Sequence, residues 1–317
     1  MVHMRIVFIG TPEFAVASLE ALIEAGENVV GVITAPDKPA GRGKKLQGSA
    51  VKQCAEKHGL NLLQPPNLKD ADFLDELKAL NADLQVVVAY RMMPESVWNM
   101  PKLGTFNLHG SLLPKYRGAA PINWAIMNGE KETGVTTFFL KHEIDTGSII
   151  DQEKVPIDPD ENVGDLYERL MNVGADLVVK TVRKIKAEDY SLTNQEDLLK
   201  DLTAVKDAPK LNKEICKVDW SQSIDKLHNH IRGLSPYPCA YTELFVDNKK
   251  LKLKIYRTKK ESELKNAYPS IITEKKRIGV SNSTGTIWIT ELQLEGKKRM
   301  DAVSFLAGLK TEISLDL

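Results

Sequence analysis

Met4-Arg5-Ile6-Val7-Phe8-Ile9-Gly10-Thr11-Pro12-Glu13-Phe14 decides the architecture. The apolar run Met4 to Ile9 reads as a buried strand, the Gly-Thr-Pro that follows as a turn, and the residues to about Ala25 as an amphipathic helix stopped by Gly26. Val29 to Thr34 is a second buried strand. Strand, helix and strand in such close succession form a βαβ unit, hence a parallel sheet. Residues 1–3 precede the first strand and are left out of the fold. A dinucleotide site at this turn would need the spacing G-x-G-x-x-G, so that backbone can approach a pyrophosphate. Gly10 stands alone, which disfavours NAD and leaves a strand-to-helix turn with proline near the first helical turn.

The same alternation continues outward. Helices are expected at Ser49 to His58 and Asp70 to Leu80, strands at Leu60 to Leu63, Leu84 to Ala89 and Gly104 to His109. Beyond them come a helix from Ala120 to Met127, paired strands at Gly134 to Leu140 and Ile149 to Pro156, and a long amphipathic helix from Val163 to Lys186. Tyr190 to Lys210 lacks strong periodicity and is rich in Asp, Lys, Asn and Thr, which reads as a linker with one short helical turn. The texture then changes. A helix over Ser221 to Ile231 is broken by Arg232-Gly233-Leu234-Ser235-Pro236-Tyr237-Pro238. Short strands follow at Ala240 to Val246, Leu251 to Arg257, Arg277 to Val280 and Thr286 to Leu294, before a last helix over Asp301 to Leu306. That spacing fits a small β-barrel of the OB type. The expected division is residues 1–189, a linker at 190–208, and 209–317.

A length of 317 residues with 42% hydrophobic and 27% charged residues is ordinary for two globular domains. No apolar run reaches the roughly 18 residues of a membrane span, so a cytoplasmic address is expected. Cys54, Cys216 and Cys239 are odd in number and far apart, which excludes a disulfide framework and a CxxC site. Lys+Arg and Asp+Glu both total 43, but Asp207 to Leu317 holds 20 basic and 14 acidic residues against 23 and 29 before it. A basic second half suits an anionic partner.

Two stretches carry chemistry. The loop Ala35 to Gly48 holds two prolines, three glycines and the cations Lys38, Arg42, Lys44 and Lys45. Its glycines disfavour regular structure, and it reads equally as a solvated connection or as a flexible basic finger that orders on a polyanion. The run Asn107-Leu108-His109-Gly110-Ser111-Leu112-Leu113-Pro114-Lys115-Tyr116-Arg117-Gly118-Ala119-Ala120-Pro121 places an amide and an imidazole two apart at a strand end, on one face. An isolated histidine there is more often a satisfied core residue than a catalyst. Asp145, in the turn Lys141-His142-Glu143-Ile144-Asp145-Thr146-Gly147 between the next two strands, can complete a set. An amide donates to an oxyanion, an imidazole moves a proton, and a carboxylate orients that imidazole or acts through water. Ser111 is in no G-x-S-x-G elbow, so direct acyl-type transfer to an amine is expected, with no covalent enzyme intermediate. His228 and His230, two apart on a helix, face different sides and make no metal site.

Asn107 to Pro121 resembles the signature of the folate-dependent formyltransferases. Gly10 to Phe14, Pro36 to Lys45, Asp145-Thr146-Gly147 and Arg232 to Pro236 resemble the branch whose acceptor is methionyl initiator tRNA. The likeness spans nearly the whole chain, with Gly110 standing where Ala is expected and Tyr237 where Trp is more usual. It implies an α/β fold: a Rossmann-like, doubly wound, mostly parallel sheet followed by a small OB-like β-barrel domain. It implies that Asn107, His109 and Asp145 are catalytic, that 10-formyltetrahydrofolate is the donor, and that no metal takes part. Folate contacts are expected at Arg91, Met92, Ser111, Leu112, Leu113 and Pro114, and tRNA contacts at Lys38, Arg42, Lys44 and Lys45. The implied enzyme acts in translation initiation, as a monomer, away from membranes. The same signature also serves formyltransferases acting on a sugar-nucleotide or other small amine, which need no cation-rich loop at 38–45. A non-catalytic RNA-binding module on a Rossmann scaffold would need no Asn-His-Asp set.

Overall fold

The computed structural model describes residues 4–40, 45–200, 205–247, 249–263, 266, 268–274, 276–309 and 313–315. The chain divides into two compact units, one made of Met1–Gly118, Gly134–Val155 and Tyr167–Asp207, the other of Ala119–Thr133, Pro156–Leu166 and Ala208–Leu317. The division is therefore interleaved: two segments that precede residue 189 belong to the second unit.

The first unit opens with β1 (Arg5–Gly10), α1 (Glu13–Glu24), β2 (Asn28–Ile33), β3 (Lys38–Ala40), β4 (Lys45–Gln47), α2 (Ala50–Lys57) and β5 (Leu62–Leu63). It continues through α3 (Ala71–Ala79), β6 (Leu84–Val88), α4 (Glu95–Trp98), β7 (Thr105–His109) and β8 (Arg117–Gly118). The chain then makes α5 (Pro121–Met127), which belongs to the second unit, and the first unit resumes through β9 (Glu132–Phe139), β10 (Ile149–Pro156), α6 (Val163–Lys186), α7 (Gln195–Leu199) and β11 (Asp207–Ala208). The main sheet runs β10-β9-β7-β6-β1-β2-β5. Its neighbours from β5 to β7 are parallel, and β9 is antiparallel to β7. A parallel sheet covered on both faces buries every side chain, which is why β1 and β6 are continuous apolar runs with almost no alternation. Full burial of Phe8, Phe106 and Phe138 contributes about 1.5–3 kcal/mol each.

Helix ends are set by local capping. Ser49 accepts from Lys52 N–H ahead of α2, and Asp70 from Asp72 and Phe73 N–H ahead of α3. A Cβ on Gly10 would lie 2.6 Å from Ala15 Cβ and 2.9 Å from Val88 O, so the lone glycine of the first turn lets α1 and β6 close on it. Strand order reverses between β1 and β6, since β2 and β5 lie to one side of β1 and β6 and β7 to the other. The crevice beside such a reversal, at the carboxyl ends of the strands, is where open α/β sheets bind ligands.

Two expectations are corrected here. The loop at 35–48 is not without regular structure: β3 and β4 pair antiparallel, Lys38 opposite Gln47 and Pro39 opposite Leu46. The paired residues lie on either side of Gly41 and Gly43, which are outside the described residues. The stretch expected to be a linker is packed against the sheet, where Thr193 exchanges two backbone hydrogen bonds with Ile149 and Leu198 meets Leu113, Phe138 and Ile149. Asn194 caps α7 and Gln195 is fully buried. The one short helical turn expected in this stretch is α7, five residues long.

The second unit contains α8 (Lys213–Cys216), α9 (Ile224–Leu234), β12 (Ala240–Val246), β13 (Lys249–Glu261) and β14 (Ser270–Glu274). It ends with β15 (Arg277–Asn282), β16 (Gly285–Leu294), β17 (Met300–Asp301), α10 (Ala302–Gly308) and β18 (Ile313–Leu315). The order β14-β15-β16-β13-β12-β18 is antiparallel throughout, and the outermost strands β14 and β18 approach each other, giving a nearly closed barrel. Its core gathers Trp220, Ile231, Leu234, Ile255, Ile287 and Leu292. β13 runs past Arg257 through register shifts between Ile255 and Thr258, which break the period of two and hide its second half from pattern reading. α9 begins after a Ser223 cap and continues to Leu234, so Gly233 lies inside the helix. A Cβ there would fall 2.6 Å from Met127 Cγ, and the close packing of α5 on α9 requires the glycine.

Candidate active site

Asn107 and His109 project from one face at the carboxyl end of β7, Asn107 between Val87 and Phe138 and His109 opposite Thr136. The imidazole is 6% exposed and meets the Phe138 ring edge-on at 6.5 Å. Its Nε2 lies 2.8 Å from Tyr116 O. A carbonyl only accepts, so the proton is on Nε2 and Nδ1 is bare in the neutral ring. Nδ1 faces Asp145 Oδ2 at 3.9 Å. The structure thus brings together the histidine and the aspartate expected to act together.

Asp145 is held from several sides. Its Oδ2 accepts from Gly118 N–H at 3.0 Å, and its backbone is in the left-handed region at φ 55°. A Cβ on Gly147 would come 1.6 Å from Phe139 O, so the turn can press against β9 only with glycine at that position. Tyr116, Arg117 and Gly118 act as one strip: the first binds His109, the last binds Asp145, and Arg117 donates to Gln195, whose amide donates to the carbonyls of Asp145 and Gly147. Sequence reasoning missed Tyr116, Arg117, Gly118 and Gln195. The first three are in the signature run but act there largely through backbone, and Gln195 carries no local signal.

The residues expected around a folate fall into two groups. Arg91 follows β6, is exposed, and donates to Pro65 O at 2.6 Å and Pro66 O at 3.2 Å; Met92 beside it is 73% exposed. Ser111 and Leu113 are buried and tied to Thr136, whose Oγ1 donates to Ser111 O and accepts from Leu113 N–H and Gln152 Nε2. Ser111 Oγ donates to Lys115 O, and a cis peptide joins Leu113 to the buried Pro114. Leu112 is half-buried. These four residues are built into the sheet edge, while Arg91 and Met92 stand open at the strand end.

Of the residues expected to contact tRNA, Lys38 is exposed on β3, Lys45 begins β4, and Arg42 and Lys44 lie outside the described residues. Asp37 anchors the root of this hairpin, accepting from Lys52 Nζ at 2.7 Å and Gln64 Nε2 at 2.9 Å, contacts that hold its carboxyl below the usual carboxylate range. Among the described residues, the side chains of metal-ligand type that gather in one place are Glu20, Cys54 and His58, around α1 and α2 and not at the site, with Glu20 already engaged by Lys57.

A formyl transferase family model matches residues 4–182, and the model of the formyl transferase C-terminal domain matches residues 210–310. The chain belongs to the formyl transferase family. It is 55% identical over 312 residues to a methionyl-tRNA formyltransferase of Parabacteroides distasonis, covering 97% of this chain and 96% of the relative. To the protein of the same description from Flavobacterium johnsoniae it is 53% identical over 311 residues, covering 98% and 97%. Among solved structures it shares its fold with the sugar 3N-formyl transferase WlaRD, at TM-score 0.66 and 23% identity over 94% of this chain and all of the other. HypX from Aquifex aeolicus shares it at TM-score 0.64 and 19% identity over 97% of this chain and 47% of that one. The family agrees with the resemblance carried by Asn107 to Pro121.

Proposed function

We propose that this member of the formyl transferase family moves the formyl group of 10-formyltetrahydrofolate to the free amine of methionyl initiator tRNA. The observation that carries this is the identity of 53–55% along nearly the full length of relatives described as methionyl-tRNA formyltransferases. The small-amine alternative finds its likeness at 23% identity, which speaks for fold alone. The enzyme works as a monomer in the cytoplasm; no described helix is long and apolar enough to cross a membrane.

In the mechanism, the amine attacks the formyl carbon and the Asn107 amide donates to the developing oxyanion. Neutral His109 receives the amine proton at Nδ1, directly or through water, and the Asp145 carboxylate stabilises the imidazolium. The same proton then goes to the departing folate nitrogen, so that the enzyme ends as it began. The Nε2–H bond to Tyr116 O supports this role, because it leaves Nδ1 as the free base on the side facing Asp145. Arg91 and Met92 flank the folate with Ser111, Leu112, Leu113 and Pro114; Val88 and Leu108 are paired, which sets the two strand ends side by side. Lys38, Arg42, Lys44 and Lys45 meet the acceptor end of the tRNA as phosphate contacts.

Formyl transfer from 10-formyltetrahydrofolate is measured with charged initiator tRNA, charged elongator tRNA and an amino-sugar nucleotide as acceptors. Product with the initiator far above both others is expected. Turnover of the sugar nucleotide with none of charged tRNA overturns the assignment. For the basic hairpin, Arg42→Ala is expected to raise KM for tRNA and flatten its salt dependence; unchanged values remove Arg42 from the interface.

A further inference from the structure

One buried amide grips the turn that carries Asp145. Gln195, the first residue of α7, has no solvent exposure. Its Nε2 donates to Asp145 O at 2.9 Å and to Gly147 O at 2.8 Å. Its Oε1 accepts from Arg117 Nε at 3.0 Å and Nη2 at 2.7 Å. The guanidinium can only donate and the carbonyls only accept, so the amide has one orientation and all four bonds are used.

α7 is itself fixed to the sheet. Thr193 exchanges backbone bonds of 2.9 and 3.0 Å with Ile149, and Asn194 accepts from Glu196 N–H at 3.2 Å. Asp145 meanwhile keeps a left-handed backbone, φ 55°, a region that costs a residue with a Cβ more than it costs glycine. Gly118 holds the carboxylate and Gln195 holds the backbone behind it. The bridge runs from the strip that binds His109, through Arg117 and Gln195, to the turn that presents its partner.

We propose that Gln195 is a positioning residue for formyl transfer: by joining Arg117 to the carbonyls of Asp145 and Gly147, it keeps the Asp145 carboxylate in place against His109 Nδ1. The inference rests on the catalytic role proposed above for His109 and Asp145. Gln195 touches no reacting atom, so its loss acts on kcat and not on substrate affinity. Displacing a reacting group by about 1 Å costs about 100-fold in rate.

The test is steady-state formylation by the full chain carrying Gln195→Ala, Gln195→Glu or Arg117→Ala, beside His109→Ala and Asp145→Asn. Gln195→Ala is expected to lower kcat by about 30- to 100-fold with KM for both substrates within about threefold. Gln195→Glu keeps an acceptor for Arg117 but sets a carboxylate against two carbonyls, and should fall at least as far. A Gln195 that only supports the fold would lower thermal stability while leaving kcat per folded enzyme unchanged, and that result overturns the proposal. Should Gln195→Ala fail to fold, Arg117→Ala reads the same bridge from its other end: reduced kcat at unchanged KM supports it, and unchanged kcat overturns it. If His109→Ala and Asp145→Asn both retain turnover, the underlying catalytic assignment falls and takes this inference with it. If they abolish turnover while the Gln195 variants do not alter it, this inference alone falls.

Discussion

His109 Nδ1 faces Asp145 Oδ2 at 3.9 Å, while the other ring nitrogen is committed to Tyr116 O. The separation is too long for a hydrogen bond in the neutral state, and it becomes a favourable ion pair once the ring takes a proton. The site is thus arranged for an imidazolium that exists during reaction.

The turn that carries Asp145 depends on a glycine. Gly147→Ala would drive a Cβ to 1.6 Å from Phe139 O and force the turn away from β9. We expect kcat to fall by about 100-fold and stability by about 1–3 kcal/mol. Steady-state kinetics with urea unfolding checks both, and a wild-type kcat would contradict the arrangement.

Thr136 is the joint between β9 and the signature run. Thr136→Val keeps the shape and removes the hydroxyl that serves Ser111 O, Leu113 N–H and Gln152. A loss of about 1–3 kcal/mol is expected from the buried groups left unpaired. An unchanged urea midpoint at unchanged slope would contradict this.

Acid should loosen the second unit through its histidines. Burial holds both His228 and His230 below the ordinary 6.5; the Arg232 charge adds to this at His228, while Asp160 opposes it, and Asp219 opposes it at His230. Below 6.5 the unfolded chain binds more protons than the folded one, so this stability is fully present above 6.5 and is lost as pH falls through the folded values. His228→Asn should therefore give a shallower decline of melting temperature between about pH 7 and pH 5 than the wild type. Parallel curves would count against a titrating His228.

All three thiols are buried, and desolvation pushes Cys239 up to about 11. At pH 8 its thiolate is about a thousandth of the total. Iodoacetamide should leave the native protein unlabelled and modify all three cysteines in denaturant, as read by intact mass. Rapid labelling of the native chain would show that these residues are open.

How far the sequence could be read differs from element to element. The apolar runs of β1, β2, β6 and β7 carry enough residues for the strands and a parallel sheet to follow, though not their order, and Asn107, His109 and Asp145 are recognisable by residue type and by their places at a strand end and in the turn between two strands. Gln195 was beyond reach because its role depends on the return of the chain from α6 to β10, and nothing within its neighbours in sequence encodes that. The second half of β13 was hidden by its bulge, and the end of α9 by a glycine that serves packing against α5. Tyr116 and Gly118 work through backbone atoms, which side-chain patterns do not report.

The most direct measurement is kcat for formyl transfer to charged initiator tRNA, at saturating 10-formyltetrahydrofolate, for Asn107→Ala, His109→Ala and Asp145→Asn beside the wild type. Each should fall by about 10²–10⁴-fold with its melting temperature preserved, as expected for removal of an oxyanion donor or a proton carrier. Near-wild-type kcat in all three would contradict the assignment of this site.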